Sequence, residues 1–159
     1  MTATPVFPSR FESGRSMIVA GFAGRISSDD LGGLPRLWQR FAPRIGHVPK
    51  QIGMETYGLC YHPDERGGFE YLAGVEVADA GELPKEFTTL VLAPQRYAVF
   101  EHRDGLQALK DTFDGIFQHW LPNSGEHSAN SPVFERYPAT FNPADPRSLV
   151  EIWVPLEQP

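Results

Sequence analysis

The sequence predicts an α+β fold built as a tandem β-α-β-β repeat, forming one antiparallel sheet with two helices on one face and a ligand groove on the other. Three observations predict it. Two stretches carry apolar residues at helical spacing. Each is preceded by one strand-like run and followed by two. Short motifs also recur in register: Ala20-Gly21-Phe22 with Ala98-Val99-Phe100, Glu55-Thr56-Tyr57 with Glu135-Arg136-Tyr137, and Phe69-Glu70-Tyr71 with Val150-Glu151-Ile152. The spacing between copies grows slowly along the chain, as longer loops in the second copy would produce. The repeats span about residues 10–78 and 87–157 of a single domain covering 1–159.

In chain order, Met17 to Ile26 is the first strand. Leu34, Leu37, Trp38 and Phe41 then form a helical stripe that stops at Pro43. Pro35 fits its first turn, where no amide donor is needed, and Asp29 or Asp30 is placed to cap the preceding turn. Gln51 to Tyr61 and Phe69 to Val77 are strands joined by Pro63-Asp64-Glu65-Arg66-Gly67-Gly68, a strong hairpin signal. Phe87 to Leu92 is a short strand, and Tyr97 to His102 leads into the second helix. That helix carries Leu106, Leu109, Phe113, Ile116, Phe117, Trp120 and Leu121, with Asp104 and Gln107 as a capping box and Pro122 as its end. Val133 to Tyr137 and Leu149 to Pro155 complete the second copy, with a Pro/Asn/Asp-rich loop between them.

Composition narrows the function. The 159 residues are 41% hydrophobic, enough for a real core, and the formal net charge is −6. An acidic balance argues against direct nucleic-acid binding, which needs a basic surface to replace counterions. It favours cationic partners mildly. The lone cysteine, Cys60, excludes an internal disulfide and any Cys/His zinc pattern, and is expected as a small buried hydrophobe. The five histidines show no metal-ligand spacing, and no phosphate loop or nucleophile triad appears. No metal or cofactor is expected. Neither a signal segment nor a membrane-length apolar run is present, so a cytoplasmic protein without membrane contact is expected.

Glu151 is the expected binding residue. Alternation puts Glu151, Trp153 and Pro155 on one face and Val150, Ile152 and Val154 on the helix-covered face. A carboxylate among aromatics attracts a cation, with a cation–π contribution from Trp153. Such surroundings also raise a carboxyl pKa toward acid–base use. Glu70 is its counterpart in the first copy, with Tyr71 able to take the pocket position instead. Tyr57 and Tyr137, paired by the repeat, would wall a groove and stack on a flat guest. Met54 would line an adaptable part of the pocket. Trp38 and Trp120 lie on helical stripes, in the core or at the pocket rim. His102 reads as a structural histidine near the second helix.

The run Arg96-Tyr97-Ala98-Val99-Phe100-Glu101-His102-Arg103-Asp104-Gly105 resembles the signature of GyrI-like domains, the AraC-type effector-binding family. The resemblance continues through Trp120-Leu121-Pro122-Asn123-Ser124-Gly125, Pro132 to Tyr137, and Val150-Glu151-Ile152-Trp153-Val154-Pro155-Leu156. Gly53 to Tyr61 and Tyr71 to Val75 are similar to strands of the family's first half. The resemblance implies two β-α-β-β units and a pocket glutamate at Glu151. It implies lipophilic cations or flat aromatic compounds as ligands. It also implies two alternatives: a hydrolase acting on cyclopropane-bearing DNA alkylators, with Glu151 as its catalytic residue, or a protein partner in gyrase modulation. Regulators of this family join the domain to a helix-turn-helix reader. Here the domain begins almost at Met1, so direct transcriptional control is not expected.

Overall fold

A computed structural model describes residues 6–27, 29–30 and 32–158. Eight strands lie in chain order: β1 (Arg10–Gly14), β2 (Met17–Ile26), β3 (Thr56–Tyr61), β4 (Phe69–Val77), β5 (Thr88–Leu92), β6 (Gln95–His102), β7 (Val133–Tyr137) and β8 (Val150–Leu156). Helix α1 (Gly33–Phe41) separates β2 from β3. Between β6 and β7 runs a mixed helix: a 3-10 turn (Leu106–Ala108), α2 (Leu109–Gly115), a π turn (Ile116–Trp120) and the short α3 (Leu121–Ser124).

All eight strands make one antiparallel sheet in the order β1-β6-β8-β7-β3-β4-β2-β5. The two β-α-β-β units sit side by side, joined by β3 and β7 at the middle. Each unit also gains an edge strand beyond β-α-β-β: β5, expected from the sequence as the short strand Phe87 to Leu92, and β1, which was not expected. The repeat is β-β-α-β-β, and its first strand is exchanged. β1 pairs with β6 of the other half, and β5 pairs with β2 of the first. β1 and β2 are linked only by Arg15 and Ser16, yet they lie near opposite edges of the strand order. The sheet must therefore bend its two edges toward each other, along the twist that strands already carry. Gly21 faces Gly74 across β2 and β4, where a side chain on Gly21 would strike the Ala73 carbonyl.

Both helices cover one face. Leu37 and Phe41 of α1 pack on Phe22, Ile26, Tyr71, Ala73 and Val75. Ile116 of the π turn packs on Ala98, Phe100, Ile152 and Val154. Each fully buried side chain of this size stabilises the fold by about 1.5–3 kcal/mol. Cys60 and Val133 are opposite each other in the β3–β7 ladder and belong to the first and second of these packed groups, so the two helices share a face. The alternation expected for the last strand holds, with Ile152 and Val154 under the helix. The other face, where the groove was expected, is filled by the sheet's own side chains: Val19, Tyr57, Leu59, Leu72, Tyr97, Val99 and Phe134, with Trp153 against them.

The helix ends differ in detail from expectation. Asp30 Oδ1 does accept the Gly32 amide at 3.1 Å, holding the turn before α1. Past Phe41 the chain continues as a 3-10 turn over Ala42–Arg44, with Pro43 inside it. At the second helix, no side chain caps the start, so Asp104 and Gln107 form no capping box. His102 does the local work instead, with Nδ1 2.8 Å from Thr112 Oγ1 and Nε2 2.6 Å from the Gly105 carbonyl oxygen. Pro122 does not end the helix. It sits in the first turn of α3, where its missing amide costs nothing, and the helix ends at Gly125 with φ 78°.

Candidate functional site

Three carboxylates are buried among the described residues: Glu76, Glu135 and Glu151. A buried charge is expensive unless paired, so their partners decide what each can do. Glu76 is held by Arg15 in a two-pronged ion pair at 2.6 and 2.8 Å. Glu151 is 5% exposed and has two cations: Arg10 at 2.9 Å and Arg136 at 3.4 Å. Its Oε1 also accepts the Trp153 indole N–H at 3.1 Å. The expected cation receptor thus carries its own cations. Trp153 shares its face, stacked on Phe134 at 5.3 Å, with Arg10 over the ring.

Glu135 is different. It is 6% exposed and makes no ion pair with any described residue. It stands on β7, one of the two central strands, on the helix-covered face between the packed groups beneath α1 and α2. The Tyr71 and Tyr137 hydroxyls both donate to its Oε1, each at 2.7 Å. Burial pushes the Glu135 carboxyl up, and the two phenol hydrogen bonds pull only partly against it. Burial first, and then the nearby Glu135 charge, push both tyrosines well above their ordinary range, so they remain donors.

The local sequence explains the placement. Opposite Glu135 in the ladder is Gly58. A Cβ there would collide with the Tyr71 hydroxyl and lie 2.7 Å from Glu135 Oε1. Only a residue without a side chain lets β4's tyrosine reach across β3 to the carboxylate on β7. From α1, the Trp38 indole N–H donates to the Tyr71 hydroxyl at 3.1 Å. The Trp38 ring stands edge-on to Tyr137 at 5.5 Å and to Tyr71 at 6.3 Å. Phe141, from the loop between β7 and β8, meets Tyr137 at 4.9 Å, and Phe69 meets Tyr71 at 6.5 Å. Cys60 is partly buried in the same packed group, its thiol pushed well up by burial and by Glu135. The result is an aromatic enclosure around a carboxylate that no cation among the described residues compensates.

The expected site residues are therefore divided. Tyr71 and Tyr137 come together at Glu135, and Trp38 joins them. Tyr57 lies on the opposite face from Tyr137, packed on Phe134 at 5.9 Å; it is Thr56 that faces Tyr137. Met54 is 51% exposed, with its sulfur 3.7 Å from Gln51 Nε2. Trp120 packs edge-on to Phe100 at 5.0 Å, within the group under the second helix. Glu70 is a surface residue beside His62 at 3.0 Å and Arg25 at 3.8 Å. Glu135 was not among the residues expected at the site, although Val133, Glu135 and Tyr137 alternate onto one face, which Val133 marks as covered.

One antiparallel eight-stranded sheet with both helices on one face is the architecture of the effector-binding fold. The chain belongs to the Cass2 family, described as integron-associated effector binding protein, whose model matches residues 10–156. This is a branch of the same GyrI-like fold that the sequence resembled. The chain is similar to the transcriptional regulator BrlR of Pseudomonas aeruginosa, 30% identical over 143 residues. That match takes in 89% of this chain and 52% of BrlR, so the chain spans about half of that relative's length. Among solved structures, SAV2435 bound to tetraphenylphosphonium superposes with a TM-score of 0.75 at 18% identity, over 93% of both chains. The integron cassette protein VCH_CASS2 from the mobile metagenome of Vibrio cholerae gives 0.69 at 19% identity, over 96% of this chain and 98% of that one. The EcmrR C-terminal domain gives 0.69 at 16% identity, over 94% and 97%. No helix among the described residues is long and apolar enough to cross a membrane.

Proposed function

We propose that this protein binds lipophilic, cationic aromatic molecules between its two helices, with Glu135 as the charge that receives them. The observation that carries this reading is Glu135 itself, a buried carboxylate whose partners among the described residues are two phenols and no cation. A bound cation about 4 Å away would gain on the order of 4 kcal/mol at an effective dielectric of 20. Each aromatic face in contact adds about 0.5–2 kcal/mol. Trp38, Tyr71, Tyr137 and Phe141 supply such faces. In keeping with this, a protein of the same fold has been solved with tetraphenylphosphonium, an aromatic cation.

Calorimetric titration with tetraphenylphosphonium, and with uncharged triphenylphosphine oxide, tests the reading. The cation is expected to bind and the neutral compound to bind far more weakly. Glu135→Gln should abolish that difference. Equal affinity of wild type and Glu135→Gln for the cation would refute it.

A further inference from the structure

The hydrogen-bond inventory around Glu135 points to a narrower class of ligand. Every donor bonded to this carboxylate, directly or through one neighbour, is already committed. The Trp38 N–H goes to Tyr71, and the Tyr71 and Tyr137 protons both go to Glu135 Oε1. Acceptors are left over. Oε2 of Glu135 receives no hydrogen bond from the described residues. Glu135 keeps 6% exposure, and among the described residues no fully sealed side-chain oxygen lacks a partner, so Oε2 is not wholly closed off from solvent. The Tyr137 oxygen has spent its proton, and the nearest phenol proton, that of Tyr71, is turned to the carboxylate. A phenol oxygen with its proton spent still accepts, and a carboxylate oxygen has two lone-pair directions.

We infer that the site selects cations bearing at least two N–H groups, a primary ammonium or an amidinium on an aromatic body, which bridge Glu135 Oε2 and the Tyr137 oxygen. A fully substituted onium ion satisfies the charge but covers both acceptors with carbon. A site built to receive hydrogen bonds discriminates strongly against an analogue that lacks the donors, because its own buried polar groups are then left unpaired. An anion or an acceptor-rich guest is rejected on both counts. This inference rests on the cation reading above and sharpens it.

Three probes of one shape separate the two ideas at neutral pH: 1-naphthylmethylammonium, its N,N,N-trimethyl derivative and 1-naphthylmethanol. The expected order by calorimetry is primary ammonium first, at least tenfold tighter than trimethylammonium, with the alcohol weakest. In Tyr137→Phe the ratio between the two cations should shrink while both still bind. If the trimethyl ion binds as tightly as the primary ammonium, and both outbind the alcohol, the donor requirement is overturned and the cation reading stands. If the alcohol matches the cations, or nothing binds, the cation reading falls and this inference falls with it. A ratio unchanged in Tyr137→Phe overturns the bridging geometry.

Discussion

Gly58→Ala tests the construction of the site, because one methyl group there meets both halves of its polar centre. β3 is held on both sides, Gly58 facing Ala73 in one ladder and Glu135 in the other, so its backbone has little room to retreat. The new Cβ would overlap the Tyr71 hydroxyl and crowd Glu135 Oε1. Tyr71 must then swing aside. That loses a hydrogen bond to a charged group, about 1.5–3 kcal/mol, and the Trp38 bond, about 1 kcal/mol. Displacing a ring that is 1% exposed adds an overpacking cost of about 1–3 kcal/mol. Allowing for partial relaxation, the variant should lose about 3–5 kcal/mol, a fall of roughly 10 °C in Tm for a domain of this size. Thermal and urea unfolding measure this directly. Removing the obstructing oxygen with Tyr71→Phe should recover part of the loss, giving a coupling of about 1 kcal/mol or more in the double-mutant cycle. A Gly58→Ala protein within about 0.5 kcal/mol of wild type would refute the close approach of Tyr71 to Glu135 across β3.

Three further outcomes follow from the same geometry. Affinity for a permanent cation should fall as pH drops through the raised pKa of Glu135, because the protonated acid carries no charge; a flat profile in Glu135→Gln is the control, and a flat profile in wild type would contradict the assignment. Stability has the opposite sign. The folded-state pKa lies above the unfolded one, so the contribution from Glu135 is fully present below the unfolded pKa and is lost as pH rises through the folded pKa; Glu135→Gln should therefore gain on wild type as pH increases, by differential scanning calorimetry. Glu151→Gln should weaken the Arg10 and Arg136 pairs and cost about 1–3 kcal/mol of stability, while cation affinity stays within about twofold of wild type. A large loss of affinity there would move the site to the opposite face.

The elements were legible in the sequence wherever a period was strong. Met17 to Ile26, Phe69 to Val77 and Val133 to Tyr137 match β2, β4 and β7 end to end. The burial of Glu151 was legible too, from its apolar neighbours. What escaped is long-range. β1 reads Arg-Phe-Glu-Ser-Gly, a charged edge strand with a single large apolar residue, and carries no local strand signal. Yet β1 brings the Arg10 that neutralises Glu151, so the character of that carboxylate is set by a strand far away in sequence. Glu135 was hidden for the reverse reason. Its neighbour Arg136 makes the segment look like a solvated edge, but the two side chains point to opposite faces, and Arg136 pairs with Glu55 and Glu151 instead. The in-register match of Tyr57 with Tyr137 misled because an offset in sequence does not fix a face; the ladder sets Thr56, not Tyr57, opposite Tyr137. The π turn over Ile116–Trp120 likewise has no signature in the apolar stripe that runs through it.

The most direct measurement is a crystal structure of the protein with tetraphenylphosphonium bound. The phosphorus centre should sit between α1 and the π turn, within about 6 Å of the Glu135 carboxylate or a neighbouring ring face, with Trp38 or Phe141 shifted to admit it. Density for the cation beside Glu151 and Trp153 on the far side of the sheet, with the Glu135 enclosure unchanged, would contradict the assignment.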